Sequence, residues 1–209
     1  CNALGEVSAR GGDIQQLVAQ SYLDVANTSY GGADISLQSG GGVRVPLSGQ
    51  VTAANVIEVL PFGNMLFRLN ITGAEAKSMV EDGLHAVYGA GGSTGPYPYT
   101  GGLRYDVDAS KPQGSRASNF EVFNATTKTW GAIDPAKTYK LFVLSFNATG
   151  GDGYKTLAAV PAARRLDIGV LDADVFFSYI DKQVKDAATG LPPLKRLPVE
   201  LYSTKSFAN

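Results

Sequence analysis

The run from Phe146 to Tyr154 constrains the fold of this chain more than any other segment. It reads Phe-Asn-Ala-Thr-Gly-Gly-Asp-Gly-Tyr and closely follows the apolar stretch 139–144, which is typical of a buried strand. Glycines allow positive φ and close approach of the backbone, so the chain is expected to bend where the strand ends. An aromatic ring and the Asp152 carboxylate would then lie together, able to stack on a flat ligand and to accept hydrogen bonds from vicinal hydroxyls. Taken alone, the run is more typical of a tight turn.

The bulk composition excludes several classes of protein. The chain has 209 residues, enough for one large domain or two small ones. A hydrophobic content of 44% with 25 glycines indicates a globular, loop-rich protein. The net charge of −1 gives no reason to expect nucleic acid or an anionic membrane as a partner. No apolar run approaches the roughly 20 residues that span a bilayer.

The scarcity of cysteine and histidine argues against catalysis by this chain alone. A single cysteine excludes an internal disulfide and a cysteine-based zinc site. A two-metal hydrolytic centre or a Ser-His-Asp triad needs well-placed histidine, and the only one is His85. His85 falls near the end of a helical pattern, where a surface or dipole-compensating role is expected. We therefore expect neither a catalytic residue nor a metal ligand in this chain.

Hydrophobic periodicity predicts an α+β fold in which mixed sheets pack against helices. Helices are predicted over Asp13–Ala26, Thr52–Leu60, Glu75–Tyr88 and Leu171–Val184, with N-caps at Thr52 and Thr72. Strands are predicted over Asp34–Gln38, Met65–Ile71, Leu103–Val107, Phe120–Phe123, Tyr139–Ser145 and, at an edge, Pro198–Tyr202. Residues 89–102 are predicted to form a long loop rich in Gly, Pro and Tyr. Helices and strands do not alternate regularly, which disfavours a doubly wound sheet.

Three segments place glycine beside a group that can bind a ligand. They are Ser39–Arg44 (Ser-Gly-Gly-Gly-Val-Arg), Leu60–Asn64 (Leu-Pro-Phe-Gly-Asn) and the run Phe146–Tyr154. In the first, glycines can expose backbone N–H groups, and Arg44 can hold a phosphate with its planar guanidinium. The first segment is not a P-loop, because it lacks the Gly-Lys-Ser/Thr ending. Each segment is weak evidence alone, but three of them in this order are unlikely to be accidental.

Together these segments resemble the C-terminal domain of the 5′-nucleotidase/UDP-sugar hydrolase family, over nearly the whole of residues 1–209. The resemblance implies one 5′-nucleotidase C-terminal-type domain that binds the nucleotide. It implies that Phe62 and Phe146 sandwich the base, that Asn64 contacts a base edge, and that Asp152 accepts from the ribose hydroxyls. Arg44 would hold the phosphate. Asn147 belongs to the same motif and is carried over as a substrate-binding residue.

The same resemblance implies that the chemistry lies outside this chain. Family members carry an N-terminal metallophosphatase domain that binds two divalent metal ions, and none of its motifs is visible here. We therefore expect a secreted or periplasmic parent hydrolase, partnership with that N-terminal domain, and no activity from this chain alone. The family has mid-chain residues at the position of Cys1, which favours a fragment over a lipidated N-terminus. The chain departs from the family after Gly5, and the role of Arg10 in this inserted stretch is open.

The sequence leaves two alternatives open. The chain is either a domain of such an enzyme or a free-standing module that binds nucleosides or sugars. A parent enzyme would in turn hydrolyse 5′-nucleotides or, with the same domain, UDP-sugars, NAD, cyclic nucleotides or thiosulfo-esters. For the two phenylalanines, the alternative to ligand stacking is burial in the core, which the fold can test directly.

Overall fold

The computed structural model describes residues 4–209, so the question of Cys1 lies outside the described residues. The α-helices are α1 (Asp13–Ser29), α2 (Ala53–Val59), α3 (Gly73–Tyr88), α4 (Ser145–Ala148), α5 (Lys155–Ala158) and α6 (Asp172–Asp181). The strands are β1 (Val7–Ser8), β2 (Gly11–Gly12), β3 (Ile35–Ser39), β4 (Met65–Thr72), β5 (Pro98–Gly101), β6 (Leu103–Asp108), β7 (Ala117–Asn124), β8 (Thr129–Ala132), β9 (Thr138–Leu144), β10 (Arg165–Leu171) and β11 (Thr204–Ala208). The predicted α+β class with mixed sheets is confirmed.

A five-stranded mixed sheet in the order β10-β4-β9-β3-β5 is the centre of the molecule. Strand β9 pairs antiparallel with β4 and parallel with β3. Because side chains alternate across a strand, β9 contributes to both faces. Leu141 and Val143 belong to one buried cluster, whereas Phe142 and Leu144 belong to another. All four side chains are fully buried, which explains why this stretch is continuously apolar rather than alternating.

Different elements pack against the two faces of the central sheet. One cluster is completed by α3 and by the strands β6 and β7 of a second sheet, ordered β11-β6-β7-β8. The other cluster is completed by α1, α2 and α6. Among the described residues, no helix is both long and apolar enough to cross a membrane.

The helix starts follow the sequence closely. Thr52 and Asn55 form a reciprocal capping box at α2, and Thr72 and Glu75 form another at α3. In the second box, the Glu75 amide donates to Thr72 Oγ1 at 3.1 Å while the Thr72 amide donates to the Glu75 carboxylate at 2.7 Å. The predicted cap at Thr72 is thereby confirmed, and so is the cap at Thr52.

Three parts of the predicted layout were wrong. The predicted edge strand Pro198–Tyr202 is a turn with a short 3₁₀-helix at Val199–Leu201, and the edge strand is β11, which pairs parallel with β6. The predicted loop 89–102 contains β5, which pairs antiparallel with β3. Strands β8 and β10 were not predicted. For β5, β10 and β11, pairing with a strand distant in sequence overrides the local signal, whereas β8 is a short, mostly exposed strand that forms a hairpin with β7.

Candidate functional site

A cleft of about 490 Å³ opens at one end of the central sheet. Its wall is built from four separate parts of the chain: the turn after β3, the segment between α2 and β4, the turn after β9, and Gly95 of the loop before β5. Of the six residues singled out in the sequence, five line this cleft, namely Arg44, Phe62, Asn64, Phe146 and Asp152. Ser39, Gly41, Gly42, Gly95 and Leu144 complete the lining.

The central sheet brings the two phenylalanines to the same cleft. Strands β4 and β9 pair from Leu66↔Leu144 onward, so the start of β4 lies beside the end of β9. Phe62 lies just before β4, and Phe146 lies just after β9. The Met65 amide, at the start of β4, donates to the Ser145 hydroxyl at 3.2 Å and ties the two segments together.

Both rings are exposed rather than buried in the core. Phe62 is 61% exposed and Phe146 is 47% exposed, whereas Phe142 and Phe176 are fully buried in the core. Neither ring contacts another aromatic ring within residues 4–209. Leaving two large apolar side chains in water forgoes the free energy that burial would supply. Core burial of the pair, the alternative raised by the sequence, is therefore not what the fold adopts.

Arg44 lies at the rim of the cleft and is anchored by its own backbone. Its amide donates to the Val59 carbonyl at 3.0 Å, which fixes the residue to the end of α2. The guanidinium donates to the Gly41 carbonyl at 3.1 Å and lies 5.8 Å from the centroid of the Phe62 ring. One carbonyl contact leaves most of its five N–H donors for an anionic group in the cleft.

Asp152 stands in a backbone conformation that side chains rarely adopt. Its φ is +59° and its ψ is +20°, in the left-handed region. Such conformations cost about 1–3 kcal/mol and cluster at functional sites. The Asp152 carboxylate makes no hydrogen bond or ion pair with any described residue, so its oxygens are available to a ligand. Gly151 lies directly under the Phe146 ring, because a Cβ at position 151 would lie 2.5 Å from that ring and would displace it.

Asn64 is held from behind by Asp172, the buried first residue of α6. The Asp172 amide donates to the Asn64 carbonyl at 2.9 Å, and Asn64 Nδ2 donates to Asp172 Oδ2 at 3.4 Å. Burial raises the pKa of the Asp172 carboxyl from its ordinary value, opposed by the hydrogen bonds from Ala173 and Asn64. Asp172 was missed in the sequence because 108 residues separate it from Asn64 and no short motif connects them.

Asn147 and Arg10 lie away from the cleft surface. Asn147 is fully buried; it accepts from the Ser39 hydroxyl and donates to the Gly151 carbonyl, both at 3.4 Å. It therefore lies behind the cleft wall and braces the turn that carries Asp152. Arg10, in the β1–β2 hairpin, donates to the Val199 carbonyl at 3.5 Å and does not line the cleft.

A second cavity of about 570 Å³ lies on the other side of a glycine contact. We call it the tyrosine cavity, after Tyr88, Tyr97 and Tyr99, which line it together with Phe207 and other residues. The Gly41 amide donates to the Gly95 carbonyl at 2.8 Å, and a Cβ on Gly41 would lie 3.0 Å from the Gly95 Cα. Loop 89–102 thus supplies the partition between the two spaces.

The cleft is lined by groups that can bind a ligand. Within the part of the chain that the structure describes, no three His, Cys, Asp or Glu residues are grouped to hold a metal ion. Two exposed rings, one guanidinium, one unpaired carboxylate and one oriented amide can instead hold a flat, hydroxylated and anionic molecule.

Comparisons with known proteins agree with the fold. A family model described as the C-terminal domain of 5′-nucleotidase matches residues 3–159. The NAD 5′-nucleotidase of Haemophilus influenzae is 34% identical over 166 residues, covering 76% of this chain and 27% of the relative. The protein UshA of Escherichia coli is 36% identical over 152 residues, covering 72% of this chain and 24% of the relative.

Solved structures give the same assignment. The Haemophilus influenzae NAD nucleotidase matches with a TM-score of 0.76 at 29% identity, over 86% of this chain and 33% of that one. The 5′-nucleotidase precursor of Thermus thermophilus matches with a TM-score of 0.74 at 34% identity, over 85% of this chain and 34% of that one. The chain spans about a quarter to a third of the length of these relatives. It belongs to the 5′-nucleotidase family, whose C-terminal domain it represents.

Proposed function

We propose that this chain is the nucleotide-binding and specificity domain of a 5′-nucleotidase-type phosphohydrolase. The observation that carries the proposal is the exposure of Phe62 and Phe146 in one cleft. A purine inserted between them recovers the burial that both rings lack. Stacking on an aromatic side chain contributes roughly 1–3 kcal/mol per base. After ordering costs, two faces give weak binding, which suits a substrate that must be released.

The remaining cleft residues fit the other parts of a nucleotide. Asn64 contacts the base edge, the unpaired Asp152 carboxylate accepts from the ribose hydroxyls, and Arg44 binds the phosphate. These roles match the chemistry of each group: an amide reads donors and acceptors, a carboxylate accepts, and a guanidinium pairs with phosphate. Asn147 acts from behind the wall by holding the Gly151 carbonyl.

Hydrolysis belongs to a separate domain. The described residues offer no metal cluster, and we propose that two divalent metal ions are bound by an N-terminal metallophosphatase domain of the parent protein. The parent is proposed to act in the periplasm or outside the cell. Its substrate is a 5′-nucleotide, with UDP-sugars, NAD or cyclic nucleotides as the alternatives. The gene sequence upstream of Cys1 tests these points, since it should encode an export signal and metal-binding motifs.

The stacking claim is tested by titration calorimetry with adenosine and AMP. Phe62→Ala and Phe146→Ala should each weaken binding by about tenfold, which equals about 1.4 kcal/mol. Phe177→Ala is the matched control, because Phe177 is 46% exposed and lies on α6 outside the cleft lining. Unchanged affinity in both cleft variants, or equal loss in the control, would remove the proposed clamp.

The phosphate contact is tested by comparing AMP with adenosine. Arg44→Gln should abolish any preference for AMP over adenosine, because the phosphate loses its partner, and it should change adenosine binding much less than AMP binding. Arg10→Gln is the control, since Arg10 contacts the Val199 carbonyl and does not line the cleft. The purified chain with added divalent metal should show no AMP hydrolysis; robust turnover would contradict the assignment of catalysis to another domain.

A further inference from the structure

The contact between Asn64 and Asp172 fixes which end of the Asn64 amide faces the cleft. An ionised carboxylate can only accept hydrogen bonds, so the amide must turn its Nδ2 donor toward Asp172. The distance from Nδ2 to Asp172 Oδ2 is 3.4 Å. The other carboxylate oxygen accepts from the Ala173 amide at 2.8 Å. The Asp172 carboxylate is therefore itself held at the start of α6 by this hydrogen bond.

This arrangement leaves the side-chain oxygen of Asn64, Oδ1, without a partner among the described residues. Within residues 4–209, Oδ1 of Asn64 accepts no hydrogen bond, and Asn64 belongs to the cleft lining. Rotating the amide by half a turn would aim Oδ1 at Asp172 and set two acceptors against each other. The buried position of Asp172 excludes water that would soften this repulsion.

We infer that Asp172 is a positioning residue that makes the cleft selective for bases with an exocyclic amine. The inference rests on the proposed function and deepens it. With Oδ1 toward the ligand, Asn64 accepts from the amine of adenine or cytosine, and its second Nδ2 hydrogen donates to the neighbouring ring nitrogen. Hypoxanthine and uracil carry a carbonyl in place of that amine, and they would need the flipped amide that Asp172 disfavours.

The experiment measures the ratio of the dissociation constants for inosine and adenosine by titration calorimetry. Both nucleosides lack phosphate, so Arg44 does not bias the result. Wild-type protein should bind adenosine about tenfold more tightly than inosine. Asp172→Asn should reduce this ratio to about twofold or less, because an amide at position 172 can donate as well as accept. Inosine binding should improve while adenosine binding weakens, which a merely structural role would not produce.

Asp174→Asn is the matched control. Asp174 is exposed in the first turn of the same helix, and its replacement removes the same charge two residues away from Asp172. It should leave the ratio at its wild-type value. If Asp172→Asn does not fold, Asn64→Ala serves instead: it removes the amide and should bring the ratio close to one while stacking on Phe62 persists.

The outcomes separate this inference from the proposed function. An unchanged ratio in Asp172→Asn or in Asn64→Ala overturns the positioning role, as does an equal loss of selectivity in Asp174→Asn. If Phe62→Ala weakens both nucleosides equally in the same series, the clamp stands even though the selectivity argument fails. If wild-type protein binds neither nucleoside, the proposed function fails, and this inference fails with it.

Discussion

The cleft and the tyrosine cavity are neighbouring spaces with aromatic walls, but they use their polar groups in opposite ways. In the tyrosine cavity, the Tyr99 hydroxyl accepts from the Gly12 amide at 3.0 Å, and the Tyr97 hydroxyl pairs with Thr204 at 2.7 Å. Its rings also contact one another, with Tyr97 and Tyr99 centroids 5.2 Å apart. In the cleft, the rings stand apart and the Asp152 carboxylate has no partner among the described residues. By volume alone, the larger tyrosine cavity would be the first candidate for the ligand-binding site. The polar groups that lack a partner among the described residues favour the cleft instead.

The largest expected effect is a loss of stability at the wall of the tyrosine cavity. Gly11 has a φ of +95°, and a Cβ there would lie 2.7 Å from the Tyr99 ring. Gly11→Ala should lower the free energy of unfolding by about 2–3 kcal/mol, from backbone strain and overpacking. Gly49→Ala isolates the strain, since Gly49 has a φ of +66° and open space around it. Urea denaturation should show a smaller loss of about 1 kcal/mol for the control; equal losses would contradict the close packing.

The next effect tests whether the tyrosine hydroxyls are structural. Tyr99→Phe removes the acceptor of the buried Gly12 amide and should cost about 1–2 kcal/mol of stability. Tyr88→Phe is the control, because the Tyr88 hydroxyl makes no hydrogen bond in the described part of the chain. Thermal or urea unfolding should separate the two variants. A ligand-binding role for Tyr99 would appear instead as lost nucleoside affinity at unchanged stability.

A third change should affect binding more than stability. Gly151→Ala places a Cβ against the Phe146 ring, and this half-exposed ring can swing toward solvent at little cost. Adenosine affinity should fall several-fold, while the free energy of unfolding changes by less than about 1 kcal/mol. Gly131→Ala is the control, since nothing lies within 4 Å of a Cβ at that position. A large loss of stability in Gly151→Ala would contradict this expectation and would show that the Phe146 ring is packed as rigidly as the Tyr99 ring beside Gly11.

The smallest expected effect is a pH dependence of the protein's stability, and it arises from Asp172 behind the cleft wall. Burial raises the pKa of Asp172 above its ordinary value of 3.8, so the folded chain holds this proton at a higher pH than the unfolded chain. The stability of wild-type protein relative to Asp172→Asn should therefore be highest below pH 3.8 and should fall as the pH rises from there through the raised pKa. Urea denaturation of both proteins across this range measures the difference. If the stability of wild-type protein relative to Asp172→Asn instead rises with pH, folding lowers the pKa of Asp172 rather than raising it.

The tyrosine cavity should not contribute to that acid transition. Burial raises the pKa values of Tyr88, Tyr97 and Tyr99 above the ordinary tyrosine value, so these hydroxyls stay neutral across acid and neutral pH. The two regions thus differ in titration as well as in hydrogen bonding. Tyr99→Phe should shift the stability of the protein by a constant amount at acid and neutral pH, which the same denaturation series can show.

Local signals in the sequence were sufficient for the elements whose stabilising contacts are local. The capping box of Thr72 and Glu75 has both partners within three residues, and it was predicted correctly. The apolar stretch of β9 was recognised because both of its faces are buried. The fold family was recognised from three glycine-containing motifs, and their joint placement in one cleft agrees with that recognition.

Elements defined by distant contacts were not predictable in this way. Strand β11 was placed too early because its position depends on parallel pairing with β6, including the contact of Ser206 with Asp106 across 100 residues. Asn147 could not be separated from Phe146 by sequence, because the two are neighbours in one motif and only the folded turn buries Asn147 and leaves Phe146 half-exposed. The sequence predicted Asp172 only as an acidic residue near the start of a helix, and its contact with Asn64 became visible only in the fold.

The pairing of β4 with β9 has a consequence for how this domain can change over evolutionary time. In the clamp that we propose, the two rings are carried just beyond the ends of adjacent strands, which a sheet holds about 5 Å apart. The separation of the rings would then depend on core residues such as Leu66, which pairs with Leu144 and is fully buried. A substitution at Asn64 or Asp172 would change the proposed base contact without changing that strand pairing.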